Sequence, residues 1–446
     1  MFLICLFSTF IAAIPDVDWN YVQVRTGSYL FYWMYGYNGS SIPREQAPWV
    51  MWLQGGPGAG SSGYGNILEI GPFDINGNSR NTTWVNQANV VFLDQPVGSG
   101  FSYTTNNGYV TNNQEIANDI VTFMKSFLQT YPEAQTAPFF IFSESYGGKM
   151  NVQAALALLQ AVDAGQIKLN LRGIALGDSW ISPIDFVDTW GPYLRDLSLM
   201  ESNELQIMNE QAVTPCDQAV ANQQWANATN YWGNTENYVS QYACVDFYNV
   251  LDVDCGSSIY GNKKQKPLLS SEALSLAPEG IDHQILDSLY RRHVYRIADE
   301  DITTYMNTVI RQQLKIIPAD VTWGGQSGQV FSVLSGDFMR PVVSVVDTLL
   351  SMNRINVTVY EGQLDLICAT VGADLWMTRL TWEGMSKFYS STKVPLSPFS
   401  GGPTGAFKRT NAPLNMYKVM NAGHLLPSDN PDMASGMLAD ILSTQI

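Results

Sequence analysis

Short runs of continuous apolar residues that stop at turn residues mark the first half of the chain. They are Trp49 to Leu53 before Gln54-Gly55-Gly56, Val90 to Leu93 before Asp94-Gln95-Pro96, Phe139 to Phe142 before Ser143-Glu144, and Ile174 to Leu176 before Gly177-Asp178. Continuous rather than alternating apolarity predicts strands buried on both faces. Between these runs Ile116, Ile120, Phe123 and Phe127 recur at helical spacing with Pro132 beyond the end, and the apolar-rich stretch Lys149 to Ala161 reads as a second helix. Strand and helix therefore alternate, which predicts an α/β fold with a mostly parallel sheet and helices on both faces.

From 185 to 316 the pattern changes to polar, Asn/Gln-rich, helical stretches, and Lys263, Lys264 and Lys266 form a small basic patch in what reads as an exposed loop. Strand signals return at Asn356 to Tyr360 and at Met416 to Met420. The organisation this predicts is a sheet core over 15–184 and 317–446, with a helical insertion over 185–316 lying across the strand ends as a cap.

Composition narrows the function. The 446 residues carry 40 Asp plus Glu against 24 Lys plus Arg, a formal charge of -16, which repels a phosphate backbone and anionic lipid headgroups and argues against nucleic acid as a partner. Phe2 to Ile14 is apolar apart from Ser8 and Thr9 and ends in Ala12-Ala13. It predicts a secretory signal over 1–14, too short to span a bilayer, although no Lys or Arg precedes it. No later segment reaches about 18 uninterrupted apolar residues, so stable membrane insertion is not expected. Sequons at Asn38, Asn81, Asn227 and Asn356 agree with passage through the secretory pathway. Of five cysteines, Cys5 leaves with the signal; one bridge among Cys216, Cys244 and Cys255 and a free Cys368 are expected.

The chemistry starts at Ser143-Glu144-Ser145-Tyr146-Gly147, between an apolar strand and a helix. A serine on such a turn projects its hydroxyl beyond the sheet, as in the nucleophile elbow of α/β-hydrolases, here with Ser143 replacing the first glycine. Asp365 follows the strand signal at Asn356 to Tyr360, and His424 follows the one at Met416 to Met420 in Asn421-Ala422-Gly423-His424. Ser145, Asp365 and His424 thus occur in the chain order of nucleophile, acid and base. The other two histidines, His283 and His293, fall in the insertion, and His293 follows Arg291-Arg292 as on a solvated helix face. The oxyanion donors expected are the N–H of Tyr146 and that of Gly56 in the turn Gly55-Gly56-Pro57-Gly58, which lacks the lysine of a phosphate loop. No cofactor or metal is called for.

Further segments carry a resemblance. Trp52 to Gly58, Leu68-Glu69-Ile70-Gly71-Pro72, Asp94 to Tyr103, the elbow, Gly177-Asp178-Ser179-Trp180-Ile181-Ser182-Pro183 and Gly423-His424-Leu425-Leu426-Pro427 together resemble the serine carboxypeptidases over nearly the whole mature chain, most nearly their retinoid-inducible branch. The resemblance implies an α/β-hydrolase fold with a helical cap, and hydrolysis of the C-terminal peptide bond of peptides in a secreted or lysosomal setting. It also implies that Glu69 and Glu144, with Trp52, Gln54 and Gly55, bind the substrate's terminal carboxylate. Carboxyls facing a carboxylate serve as donors only when protonated, so an acidic optimum follows. Three departures stand out. Gln54 replaces the usual asparagine, Ala59-Gly60 replaces a common cysteine, and Leu425 replaces a frequent methionine. Cys368 matches a pocket thiol of some members and equally suits an ordinary buried cysteine. An esterase or acyltransferase with the same triad, and a catalytically silent peptide-binding relative, are the alternatives; the oligomeric state is left open.

Overall fold

The computed structural model describes residues 16–254, 267–295 and 300–443. The expected signal segment 1–14, Cys5, Cys255 and the three clustered lysines lie outside them. Among the described residues eleven strands make one sheet. They are β1 (Val17–Arg25), β2 (Ser28–Tyr35), β3 (Trp49–Leu53), β4 (Asn89–Asp94), β5 (Tyr103–Thr104), β6 (Phe139–Ser145), β7 (Leu171–Ser179), β8 (Asn356–Gly362), β9 (Val394–Leu396), β10 (Ala406–Asn411) and β11 (Leu414–Val419). Their order is β1-β2-β4-β3-β6-β7-β8-β11-β10-β9, with β5 beside β2. The six central strands, from β4 to β11, run parallel. Antiparallel strands close both edges.

The apolar runs become central strands because they feed two cores at once. Along β3, Trp49, Met51 and Leu53 pack into one hydrophobic cluster while Val50 and Trp52 pack into the other. On the first face lie the helices Asn113–Thr130 and Gly147–Asp163, contributing Ile116, Ile120, Phe123, Phe127, Met150 and Leu158. The Asn112 side chain accepts from the Glu115 N–H and caps the first of them. The helix Pro431–Ser443 covers the other face with Met433, Met437, Leu438 and Ile441. The α/β-hydrolase expectation holds, with a longer sheet than the apolar runs predict.

From Pro183–Asp196 to Arg311–Leu314 the named elements of the described residues are all helical. The expected start of the insertion at 185 falls inside the first of these helices, whose buried Asp185 pairs with Arg379 after the core helix Thr370–Thr378. Cys244 is disulfide-bonded, while Cys216 and Cys368 are buried free thiols. No helix among the described residues is long and apolar enough to cross a membrane.

Candidate active site

Ser145 ends β6 with φ at +61°, and the helix Gly147–Asp163 starts two residues later. A left-handed serine between strand and helix is a strained arrangement that the surrounding packing must hold. Gly147 permits it: a Cβ there would sit 2.3 Å from the Leu53 carbonyl oxygen. A Cβ on Gly55 would lie 2.6 Å from the Ser145 Cβ and 2.7 Å from the Tyr146 nitrogen, so glycine brings the Gly55-Gly56 turn against the elbow. Beneath Tyr146, its hydroxyl donates to Asp337 Oδ2 at 2.8 Å, and the buried Lys149 Nζ pairs with the same carboxylate at 2.9 Å.

Asp365 lies three residues past β8, and His424 five past β11. These adjacent strands bring His424 Nδ1 to 2.8 Å from Asp365 Oδ2, both residues being buried. The remaining imidazole nitrogen, Nε2, has no hydrogen-bond partner. His424 and Ser145 line one small cavity with Gln54, Gly55, Gly56 and Glu144. Burial pushes the imidazole down to about 3, against the opposing pull of Asp429 and Asp246, so the ring stays neutral in mild acid.

A second lobe of the cleft also opens on Ser145 and Gly56, and is lined by Tyr146, Trp180, Trp232, Phe338 and Ile367. Cys368 is fully buried and lines neither lobe. Its thiol lies within 4.8 Å of Asp365 and His424, and burial holds it well above its ordinary value. That trio and the set Asp178, Glu361 and Asp365 are the described groups whose atoms cluster closely enough to consider for a cation. In both sets Asp365 is already engaged by His424.

Trp52, Gln54 and Glu144 form a buried hydrogen-bonded chain, and the buried Glu69 acts on Glu144 through its charge. Trp52 Nε1 donates to Gln54 Oε1 at 2.6 Å, and Gln54 Nε2 donates to Glu144 Oε1 at 2.7 Å, which fixes how the longer amide lies. Glu69, on the π-helical turn Tyr64–Ile70, is buried without a hydrogen-bond partner and does not line the cavity, unlike Glu144. Burial pushes Glu69 up to about 7. Glu144 is held well above its ordinary value by burial and by the Glu69 charge.

Two expectations need correction. His293 is not on a solvated face: it is 4% exposed and lines both lobes. Its Nε2 lies 2.7 Å from Glu236 Oε1 on the helix Trp225–Tyr242, its ring stacks on Trp232, and Arg292 pairs with Glu236 alongside it. Burial works to raise Glu236, but His293 and Arg292 outweigh it and hold the carboxyl below its usual range. Asn356 also fails as a glycan acceptor in the folded chain, because it opens the central strand β8 and is 5% exposed. Asn38, Asn81 and Asn227 are exposed.

Tyr248 is a residue that the sequence did not flag. Its ring stands perpendicular to that of His424 at 4.7 Å, its carbonyl accepts the His424 N–H at 2.7 Å, and its hydroxyl meets His293 Nδ1 at 3.0 Å. It lies in an irregular segment with no motif around it, so nothing local could have signalled its place.

An α/β-hydrolase sheet with a serine elbow and a buried His–Asp pair at its strand ends is the framework of a serine hydrolase. The serine carboxypeptidase family model matches residues 16–444, and the chain belongs to that family. It is 41% identical over 428 residues to the retinoid-inducible serine carboxypeptidase of Mus musculus, covering 94% of this chain and 90% of the relative. With serine carboxypeptidase-like 51 of Arabidopsis thaliana it shares 37% identity over 95% of this chain and 91% of that one. Among solved structures, a prohormone-processing carboxypeptidase from Saccharomyces cerevisiae superposes with a TM-score of 0.78, covering 97% of this chain and 93% of that one. At 19% identity that likeness speaks to the fold alone.

Proposed function

We propose that this chain removes C-terminal residues from peptides through an acyl-enzyme on Ser145, in the acidic lumen of the secretory or lysosomal route. His424 takes the Ser145 proton as the hydroxyl attacks the last peptide carbonyl, then hands it to the departing amino acid. Asp365 holds the imidazole in the useful tautomer and balances its charge. The N–H groups of Gly56 and Tyr146 receive the oxyanion. Water then attacks the acyl-enzyme with His424 again as base. An imidazole pushed down to about 3 keeps this base unprotonated where most histidines would be cations.

Fold and triad alone do not distinguish peptide, ester or other acyl groups. The observation that carries the reading is Glu144, a buried carboxyl on the cavity wall beside Ser145 with its acidity suppressed by burial and by Glu69. A protonated Glu144, with Gln54 and Gly55 beside it and Glu69 and Trp52 behind, is a donor set for a substrate's terminal carboxylate. The test compares an N-blocked dipeptide, its C-terminal amide and its ester at acidic pH, with wild type and Ser145→Ala side by side. The proposal requires release from the free-acid peptide to exceed release from the amide and to fall by about 10⁴-fold or more in Ser145→Ala. Turnover of the ester alone would refute it.

A further inference from the structure

At the His424–Asp365 pair lies a group of three carboxyls of which the proposed mechanism uses only Asp365. Asp178 near the end of β7, Glu361 in β8 and Asp365 just beyond it are all buried, and one oxygen of each lies within 4.8 Å of one from both others. Asp178 Oδ1 accepts the Gly362 N–H at 2.7 Å. Its Oδ2 and both Glu361 oxygens are buried with no other donor in reach. Asp365, by contrast, has His424 Nδ1 and the N–H of Cys368, at 3.2 Å, as donors. Three like charges at this separation away from water are untenable, and the unpartnered oxygens are satisfied only if protons lie between the carboxyls.

Resting on the assignment of Asp365 as the triad acid, we propose that Asp178 is a positioning residue that works as a neutral acid, donating a hydrogen bond to the Asp365 carboxylate, with Glu361 protonated behind it, so that the three groups carry one negative charge. The acidities agree in direction. All three are raised, burial first; Asp178 lowers Asp365 in turn and is itself lowered by Glu361, the order set by donation from Glu361 to Asp178 to Asp365. The other titratable groups facing Asp178 are Glu144 from β6, Tyr360 from β8 and Cys368. None is a cation, so no counter-charge favours a second ionisation there. The single charge has two effects. It fixes the Asp365 carboxylate that orients His424, and it keeps the imidazole from becoming too basic to act in acid. As pH rises far enough to remove a second proton, a new negative charge appears at the His424–Asp365 pair.

Asparagine at 178 reproduces the neutral acid, with one oxygen for Gly362 and one amide donor for Asp365, and it cannot ionise. The experiment compares wild type, Asp178→Ala and Asp178→Asn by kcat at saturating peptide, which removes the titration of the carboxylate-binding glutamates, and by thermal midpoint across pH. We expect Asp178→Ala to lose at least about tenfold in kcat and Asp178→Asn to recover it to within about threefold. Both kcat and the midpoint should hold further into the alkaline range in Asp178→Asn. An infrared C=O stretch from un-ionised carboxyl at neutral pH, present in wild type and diminished in Asp178→Asn, reads the proton without any turnover. If Asp178→Ala does not fold, the asparagine profile and this band decide. An asparagine variant as impaired as alanine, an unchanged band, or a Ca²⁺-induced rise in midpoint that Asp178→Asn abolishes would each overturn the proposal. Absence of any peptide release by wild type would instead refute the functional reading, while the band still decides the state of Asp178.

Discussion

At the scale of single residues, what distinguishes this site is where protons are kept. His424 is held neutral by burial, Glu69 is raised by burial to about 7 against the pull of Glu144, Arg80 and Gln54, and Glu144 is held protonated by burial and by the Glu69 charge. A donor that must be neutral is lost as it ionises, so KM for free-acid peptides should rise by roughly tenfold per pH unit once pH climbs far enough to ionise Glu144, which burial and the Glu69 charge hold well above its ordinary range. Glu144→Gln keeps an amide donor at every pH and should flatten that rise while raising KM in acid only modestly. A KM–pH profile of both proteins on one peptide checks this, and parallel slopes would contradict it. Ser145, Asp365 and His424 were legible in the sequence because each follows a strand signal in a turn. His293, Tyr248 and Asp178 were not, because their roles depend on partners that only the fold supplies, such as Glu236, 57 positions before His293.

At the scale of elements, the apolar runs read from the sequence form strands buried on both faces, as in β3, β4, β6, β7 and β8, but the run Leu30 to Tyr35, which lies in β2 and feeds both cores as fully, is not among the strands predicted. β1 was missed because its residues are mostly half-buried at the sheet edge, so that no unbroken apolar run marks it. In the helical stretch between β7 and β8, the sequence alone places Arg291-Arg292-His293 on the surface, whereas Arg292 is 3% exposed and paired with Glu236. Removing one partner of a buried pair leaves the other charge uncompensated. Glu236→Ala should therefore destabilise the protein by about 3 kcal/mol or more and free the His293 ring that Tyr248 touches. Thermal denaturation reads the loss, and a midpoint unchanged from wild type would show that the pair contributes nothing.

At the scale of the whole molecule, the buried carboxyls set the pH range of stability. Burial raises Asp94 to about 6, and Glu69 and Asp188 to about 7. A carboxyl whose value is raised by folding stabilises the fold fully below its ordinary range, and that contribution is lost as pH climbs through 6 to 7. His424 acts in the opposite sense: lowered by folding, it stabilises above its unfolded value and loses this as pH falls toward about 3. The thermal midpoint should accordingly be higher near about pH 5 than near about pH 8, and the reverse order would contradict the protonation states assigned here. The central claim is that Ser145 is the nucleophile and that His424, oriented by Asp365, activates it. Mass spectrometry of the intact protein after exposure to a fluorophosphonate at acidic pH tests this most directly. A single adduct mapping to Ser145, lost in His424→Ala, is the predicted result; an adduct on another residue, or labelling of Ser145 undiminished without His424, would contradict it.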